Sequence, residues 1–273
     1  IPFAGAALFI WGVNGAILTD STAQWTPDLL IGLFVQPDIN STERSRIVDN
    51  TATTLTLETA PSGLLAGVSY QGVLAIDALH VFEGAEIASG DGLWIRAGEQ
   101  NSNTVVLDDG GIDVPWLELN PGLDLVLKGD VTLVVDALRI DNDLILRDGA
   151  LLSHHTFTSG STAVLEIQVH NLEIDSESSI DVSGRGHLGG CSGDNTSPFG
   201  LGHGNTVAVA SWQLGGSHGG RGGRWQYSTS TVVAGPGYGD LRNATTAGGG
   251  GCSEFTYCPN GDPGGNGGGV VHI

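Results

Sequence analysis

The sequence predicts an all-β protein: a small β-barrel or sandwich module, followed by a parallel β-helix with long ordered Gly-rich loops. Three observations predict this class. Apolar residues recur at every second position over short stretches, and residues 19–76 show no helix-period stripe with caps. The last third of the chain is dense in glycine but contains large aromatic residues. With 273 residues, 40% of them hydrophobic, the chain can build a sizeable core.

The first 18 residues, IPFAGAALFIWGVNGAIL, carry no charge and are too short and too rich in Gly and Ala for a membrane span. They are interpreted first as a buried strand pair of the same domain. Two alternatives stay open: a strand donated to a neighbouring subunit through Phe3, Phe9 and Trp11, and a leftover secretory segment. Both ends of the sequence suggest a processed or partial chain. Because an unpaired apolar strand promotes aggregation, the donation alternative predicts a homopolymer or filament.

Residues 19–76 predict the small β module. WTPDLLIGLFVQP supplies an apolar run that ends at a proline, and SRIVDNTATTLTLE alternates β-branched with polar residues. APSGLLAGVSYQGVL adds a turn and a further strand. This pattern is typical of short antiparallel strands.

Residues 77–183 predict the coils of the β-helix. Their strands have three to five residues with apolar positions two apart, and one or two Gly, Asp, Asn or Ser residues separate them. LHVFEGAEIASG, LRIDNDLILRDGALLS and LEIDSESSIDVSG share the order strand, polar corner, strand, small residue. A ladder of coils of roughly 20 residues, each stacking apolar side chains on the next, explains both the strand length and the period.

Residues 184–273 are interpreted as a Gly-rich, loop-bearing continuation of the same β-helix. Of the 44 glycines, 27 lie between Gly184 and Gly269, and aromatic residues such as Trp212, Trp225 and Tyr238 interrupt them. Aromatic side chains stabilise a protein only when they are buried, so the segment is expected to be ordered. Its glycine doublets could pack as extended, polyproline-II-like strands against a flat face of the β-helix.

Four sequence segments resemble those of a known protein family. SSIDVSGRGHLGG, GGSHGGRGG, YGDLRNATTAGGGG and GGNGGGVV resemble the right-handed parallel β-helices of Gly-rich bacterial surface and secreted proteins of the adhesin type. The resemblance covers about residues 77–273. It implies an exported structural or adhesive protein at the cell surface or outside the cell, a subunit of a filament or surface layer, with a glycan or cell surface as a further partner.

The charge argues against a nucleic-acid partner. The chain has 10 basic and 30 acidic residues, for a net charge of −20, so nucleic acid and anionic lipid are both repelled. A phosphate-binding loop at GGSHGGRGGRW, residues 215–225, is equally disfavoured, because no helix pattern follows it and a Walker lysine is absent.

A carbohydrate-active enzyme, either a polysaccharide hydrolase or a lyase, or a glycan-binding module on the same scaffold, is the alternative function. Asp108-Asp109 and Gly202-His203-Gly204 occur in the order of the polygalacturonase pattern. The spacing between them is far too long, and no Arg-x-Lys follows. Lyases of this fold need basic residues beside an acidic Ca²⁺ site, and no Arg or Lys cluster is present. No catalytic or cofactor-binding residue is therefore predicted.

The histidines do not have the spacing of a metal site. His154, His155 and His170 flank one predicted turn, and three more lie in the Gly-rich region at His187, His203 and His218. None has the i, i+2 or i, i+4 pairing of a zinc site with a nearby acidic residue, so satisfied or exposed loop histidines are expected. No metal ligand is assigned, although Ca²⁺ could bind the Asp-rich corner at residues 141–149, which lacks EF-hand spacing.

The three cysteines, Cys191, Cys252 and Cys258, suggest an oxidising compartment. A Cys252–Cys258 disulfide is preferred because the short loop between them is rich in turn residues, and Cys191–Cys252 is the alternative. N-glycosylation sequons at Asn40, Asn195 and Asn243 agree with an extracellular location.

Overall fold

The computed structural model describes residues 4–12, 15–61, 68–76, 79, 85–98, 102–203, 206–207, 215–218, 236–240, 245–253, 258 and 262–273. This part of the chain is all-β, and it contains a β-solenoid of about three turns, as the sequence predicts. The strands are β1 Ala4–Gly12, β2 Gly15–Thr19, β3 Phe34–Gln36, β4 Ser45–Asn50, β5 Thr54–Leu57, β6 Val68–Ile76, β7 Glu86–Ala88, β8 Gly92–Ile95, β9 Thr104–Asp113, β10 Trp116–Leu119, β11 Asp124–Val134, β12 Ala137–Arg139, β13 Asp143–Arg147, β14 Leu151–Ser153, β15 Leu165–Gln168, β16 Asn171–Ile174, β17 Ser179–Ile180, β18 Leu201–Gly202, β19 Thr206–Val207 and β20 Val271–His272.

Strands β1 to β6 form an antiparallel module. β1 pairs with β2 and β6, β2 with β5, β5 with β4, and β3 with both β4 and β6. In β5 the Leu side chains are buried and the Thr side chains are partly exposed, so the period of two in the sequence sets which face of the strand meets the core. The core of the module consists of Leu18, Leu30, Val35, Ile47, Leu55, Leu57 and Tyr70.

The described part of the first 18 residues, in strands β1 and β2, pairs within this module. In β1, Phe9 lies opposite Leu18 and Trp11 opposite Ala16 of β2, while positions 4–7 pair with β6. Phe3 lies outside the described residues. The structure therefore has the strand pair of the first interpretation, and donation to a neighbouring subunit is not needed to pair these strands.

The module is joined to the solenoid through a shared strand. β6 pairs antiparallel with β3 on one side and parallel with β8 on the other. β6 ends at Ile76. Because a single sheet runs through both parts, the module covers the edge strand at which the solenoid begins.

The solenoid has three parallel faces. β8, β10, β12, β15 and β20 form the first; β16, β13 and the first halves of β11 and β9 form the second; and β7, β14, β17 and the second halves of β9 and β11 form the third. Contacts between coils join residues 19 to 21 positions apart in the early coils. They join residues 27 or 28 positions apart in the last coil, because loop 154–164 lengthens it.

Inward-facing leucines stack from coil to coil. Leu93, Leu117 and Leu138 are in register on the first face and fully buried. Leu125 and Leu144 repeat this on the second face. Burying each such side chain stabilises the fold by about 1.5–3 kcal/mol. The period of roughly 20 residues is thus the separation along the sequence between equivalent positions in successive coils, which share one continuous core.

The corner between the second and third faces uses left-handed backbone. Asp109, Gly129 and Asp148 occupy it in successive coils, with φ of 54°, 70° and 61°. Aspartate tolerates this conformation better than most residues because its short side chain can bond to nearby backbone. The Asp109 carboxylate accepts a hydrogen bond from the Asp130 N–H at 2.7 Å, and Asp175 accepts one from Asp148 at 2.7 Å. The polar residues between strands are therefore the corners that the sequence predicts.

A buried arginine connects the module to the first face. The Arg44 guanidinium lies 4.9 Å from the ring centre of Trp94 and 4.8 Å from that of Trp116. It also donates two hydrogen bonds to the Glu118 carboxylate, at 2.9 and 2.6 Å. The Arg44 side chain is only 4% exposed, so the carboxylate compensates a charge that would be costly to bury alone. Gly92 lies against the Trp116 ring, where a Cβ would overlap it.

The described segments of the Gly-rich region form a bundle. Segments 186–190, 248–251 and 264–268 run side by side through backbone hydrogen bonds of 2.8–3.1 Å. The N–H groups of His187 and Gly190 donate to two carbonyls that lie three residues apart on segment 248–251. The carbonyls of the same two residues accept from two N–H groups that lie three residues apart on segment 264–268. Three residues per turn is the period of polyproline II. The glycines of these three segments therefore take part in regular contacts between backbones.

Close backbone approach explains why glycine is needed in the bundle. A Cβ on Gly267 would overlap the backbone of Gly248, and one on Gly189 would overlap the backbone of Gly264. Backbone atoms cannot withdraw as the end of a flexible side chain can. Within GGSHGGRGGRW, Gly216 and Ser217 belong to the bundle, and the Ser217 carbonyl accepts a hydrogen bond from the Gly249 N–H at 3.3 Å. Positions 219–225 lie outside the described residues.

We expect Gly267→Ala to destabilise the bundle strongly, because its methyl group would meet backbone atoms of the neighbouring segment. Gly265→Ala is the matched control, since a Cβ there has open space within 4 Å. Thermal unfolding should show a clear decrease in midpoint for the first variant. For the control, the free energy of unfolding should stay within about 0.5 kcal/mol of wild type. Equal effects would contradict the close packing of the bundle.

Candidate functional site

The bundle meets the last coil of the solenoid at a buried histidine. His154 follows β14 and is fully buried. Its Nδ1 lies 2.6 Å from the His155 carbonyl oxygen and its Nε2 lies 3.3 Å from the Val270 nitrogen. Burial lowers the pKa of His154, which favours a neutral ring that donates through Nδ1 and accepts at Nε2. A Cβ on Gly269 would overlap this ring. His154 therefore ties the bundle to the solenoid.

The adjacent His155 connects three successive coils. Its Nδ1 lies 2.9 Å from an Asp136 oxygen and its Nε2 lies 2.7 Å from an Asp113 oxygen. The hydrogen bond to Asp136, together with that to Asp113, outweighs the effect of burial and raises the pKa of His155 to about 9. At neutral pH the ring is an imidazolium that donates to both carboxylates. We call Asp113, Asp136 and His155 the histidine clamp.

The clamp was not found from the sequence, although a signal was present. His155 lies 19 positions from Asp136 and 42 from Asp113. These separations are about one and two coils of the solenoid, so the three residues share one corner. Testing each histidine against acidic residues one coil away would have paired them.

Three further histidines surround one tyrosine in the bundle. Ring centres of His187, His203 and His218 lie 6.4, 5.7 and 5.4 Å from that of Tyr238. The Tyr238 hydroxyl donates to the Ala247 carbonyl at 3.0 Å, and burial raises its pKa to about 12. His187 is buried, whereas His203 and His218 are exposed. In the part of the chain that the structure describes, no group of three or more His, Cys, Asp or Glu residues could hold a metal ion.

The Asp-rich corner at residues 141–149 makes polar contacts with the next coil. Asp143 accepts a hydrogen bond from the Asn171 side-chain nitrogen at 2.7 Å. The backbone N–H of Asp148 donates to Asp175. Calcium binding at this corner stays a prediction.

The disulfide joins Cys191 to Cys258, with their Cα atoms 5.0 Å apart. Both pairings predicted from the sequence, Cys252–Cys258 and Cys191–Cys252, are therefore wrong. The fold brings together residues 67 positions apart, which loop length alone cannot anticipate. Cys252 lies outside the disulfide and is half-buried. A disulfide is compatible with an extracellular protein.

The three sequons differ in accessibility. Asn40 is exposed in a turn after β3. Asn195 is buried, and its side-chain nitrogen donates to the carbonyls of Gly189 and Phe199 at 2.9 and 2.8 Å. An acceptor nitrogen must be accessible, so the folded chain does not offer Asn195 for glycosylation. Asn243 lies outside the described residues.

The residues of the hydrolase alternative make separate contacts. Asp108 on β9 pairs with Lys128 of β11 at 2.8 Å, and Asp109 holds the corner described above. His203 follows β18 in the Gly-rich region and stacks near Tyr238. Each of these contacts has a structural role in its own part of the fold.

The far end of the solenoid has edge strands. Among the described residues, β16 pairs with β13 alone and β20 with β15 alone. The Asp175 N–H donates to Leu146, so strand alternation turns the N–H of Ile174 away from β13. Ile174 is itself exposed. We call the unpaired side of β16, which includes Ile174, the coil-four edge, because β16 follows β15, the fourth strand after β8, β10 and β12 on the first face. This edge has backbone groups that another strand could pair with.

Fold and site together define a β-solenoid protein with a disulfide-linked Gly-rich bundle. No protein-family model matches the chain, and no curated protein or solved structure matches it significantly. In the described residues we find no helix with the length and hydropathy needed to cross a membrane.

Peptide mapping of unreduced protein should recover Cys191 linked to Cys258, with Cys252 in neither linked peptide. Replacing Cys191 and Cys258 together by serine should lower the free energy of unfolding by about 2–4 kcal/mol, because the unfolded chain loses its cross-link. Cys252→Ser serves as the control and should keep the linked peptide. A Cys252-containing disulfide in native material would contradict this pairing.

Because of the histidine clamp, the free energy of unfolding should fall as the pH rises into the alkaline range. The pKa of His155 is about 9 in the folded chain and about 6.5 when unfolded, so the clamp contributes fully below about pH 6.5 and is lost as the pH rises through about 9. His155→Gln should therefore be less stable than wild type at about pH 6, and the difference should shrink by about pH 10. Urea unfolding at both values measures this.

The matched control for that measurement is His170→Gln, which changes an exposed histidine in the bend between β15 and β16. It should leave the difference between the two pH values as in wild type. A His155→Gln variant with a constant deficit across this range would argue that the ring acts by packing alone.

Proposed function

We propose that this chain is an exported structural and adhesive protein that assembles into an extracellular filament or surface layer. The observation that carries the proposal is the coil-four edge. A solenoid adds coils by pairing each strand with the one below it, so an edge strand with outward N–H and C=O groups can accept a coil or strand of a second molecule. Contacts of this head-to-tail kind generate filaments when they do not close.

Mechanical continuity supports the same role. The module shares a sheet with the solenoid, and the Arg44–Glu118 ion pair fixes it from the side. At the other end, the disulfide and His154 hold the bundle to itself and to the last coil. A load applied to one end would pass through backbone ladders and covalent links instead of flexible linkers.

The net charge of −20 suits an exposed extracellular scaffold, since like charges keep separate assemblies soluble. The Cys191–Cys258 disulfide is compatible with that location. The adhesive part of the proposal rests on the resemblance of the Gly-rich phrases to adhesin-type surface proteins.

Assembly can be tested by changing one residue at the coil-four edge. Ile174→Lys places a charge on an exposed edge strand, which opposes strand addition while leaving the inward side of the solenoid intact. Ile174→Val keeps the position apolar and β-branched as the matched control. Light scattering and negative-stain microscopy should show concentration-dependent filaments for wild type and Ile174→Val, and shorter or no filaments for Ile174→Lys.

A wild-type protein that stays monomeric at high concentration would overturn the filament proposal. Polysaccharide depolymerisation by the purified protein, lost in Asp108→Asn or His203→Ala, would favour the enzyme instead.

A further inference from the structure

Two of the three cysteines follow hydrogen-bonded positions on neighbouring segments of the bundle. The Gly190 N–H donates to the Gly251 carbonyl at 2.8 Å, and the two segments that carry these residues run in the same direction. Cys191 and Cys252 are the next residues of these segments. Neighbouring hydrogen-bonded backbones lie about 5 Å apart, and a disulfide spans Cα atoms about 4.4–6.8 Å apart. Cys252 is therefore placed within disulfide reach of Cys191.

Hydrogen bonds outside these segments hold the same arrangement. The Cys191 N–H donates to the Ser197 carbonyl at 2.8 Å, and the Ser253 N–H donates to the Pro198 carbonyl at 3.0 Å. The residues before and after Cys252 are thus both bonded to the chain around Cys191. Cys252 therefore lies against the turn that contains Cys191.

The third cysteine completes a cluster. Cys258 is linked to Cys191, with their Cα atoms 5.0 Å apart, so Cys252 and Cys258 are both neighbours of Cys191. Cys252 lies outside the disulfide and supplies a thiol. Each of the three residues is half-buried, so none is closed off from solvent. We call Cys191, Cys252 and Cys258 the cysteine cluster.

A thiol beside a disulfide can exchange with it. The attacking group is a thiolate, which displaces one sulfur of the disulfide and bonds to the other. If the Cys252 thiolate attacks Sγ of Cys191, a Cys191–Cys252 bond forms and the Cys191–Cys258 bond breaks. The electron pair of the broken bond leaves with the Cys258 sulfur, which takes up the proton that Cys252 gave to solvent. One disulfide and one thiol are present before and after, so no oxidant or reductant is needed.

A backbone carbonyl favours Cys258 as the leaving sulfur. Sγ of Cys258 lies 2.8 Å from the Thr196 carbonyl oxygen. A disulfide sulfur has no proton to donate to this oxygen, whereas a released thiol has one. The carbonyl is therefore in place to accept a hydrogen bond from Cys258 once its bond to Cys191 is broken.

We propose that the cysteine cluster is a thiol–disulfide exchange site, in which the cross-link passes from Cys191–Cys258 to Cys191–Cys252 and back. The exchange releases Cys258 while Cys191 stays tied to the chain next to Gly251. The bundle therefore keeps one cross-link in either state, and only the attachment of Cys258 changes. This inference goes beyond the proposed function, because assembly through the coil-four edge requires no exchange of disulfides.

Disulfide mapping of the full, unreduced chain tests the exchange. The protein is incubated at about pH 8.5, where thiols form thiolates, then quenched with acid and alkylated with a maleimide. Peptides should show Cys191 linked to Cys252 together with alkylated Cys258. Protein kept at about pH 5, where thiolates are rare, should show the Cys191–Cys258 link alone. Cys252→Ser is the matched control and should leave Cys258 unalkylated at both pH values.

Cys258→Ser provides a second variant, which tests whether Cys191 and Cys252 are within reach of each other. Oxidised glutathione should convert its two thiols into a Cys191–Cys252 disulfide, at least about tenfold faster in the folded chain than in urea. The proposal is overturned if wild type never shows alkylated Cys258, or if the folded variant keeps glutathione on its cysteines without linking them. The wild-type measurement needs no substitution, so it decides the question even if Cys258→Ser folds poorly.

Discussion

In-register stacking of coils is the constraint on which the rest of the structure depends. Leu93, Leu117 and Leu138 can lie one above another only if each coil returns to the same position after three faces. That requirement sets where the corners fall, and it is why left-handed residues such as Asp109 and Asp148 occur at equivalent positions. It also explains the lengthened last coil, since loop 154–164 can leave the stack without disturbing the strands on either side of it.

The Gly-rich bundle satisfies backbone hydrogen bonds in a different way from the solenoid. In the β faces the side chains fill the interior and the backbones pair only within each sheet. In the bundle, backbones contact backbones on more than one side, as with Gly189 against Gly264 and Gly250 against Leu188. Little apolar side-chain area is buried between such segments, so links outside them matter more. The Cys191–Cys258 disulfide and the His154–Val270 contact are links of this kind.

Polar groups hold the parts together where apolar packing ends. Arg44 joins the module to the first face, and the histidine clamp joins three coils at one corner. The two contacts differ in how they depend on pH. Arginine stays charged throughout the accessible pH range, whereas an imidazolium does not. The clamp is therefore a part of the scaffold that can respond to alkaline pH, while the Arg44 charge at the module junction stays constant over the same range.

The sequence by itself determined the all-β class, the coil period and the polar corners. These features follow from local chemistry: alternation of apolar residues sets strand faces, Asp and Gly permit left-handed corners, and glycine permits close backbones. Only the tertiary structure decided which distant residues meet. The disulfide partner of Cys191, the carboxylates around His155, the rings around Arg44 and the burial of Asn195 all depend on how many residues each coil or loop contains. A difference of a few residues in loop 154–164 or in the bundle would bring other side chains together, and alternation along the chain carries no information about that count.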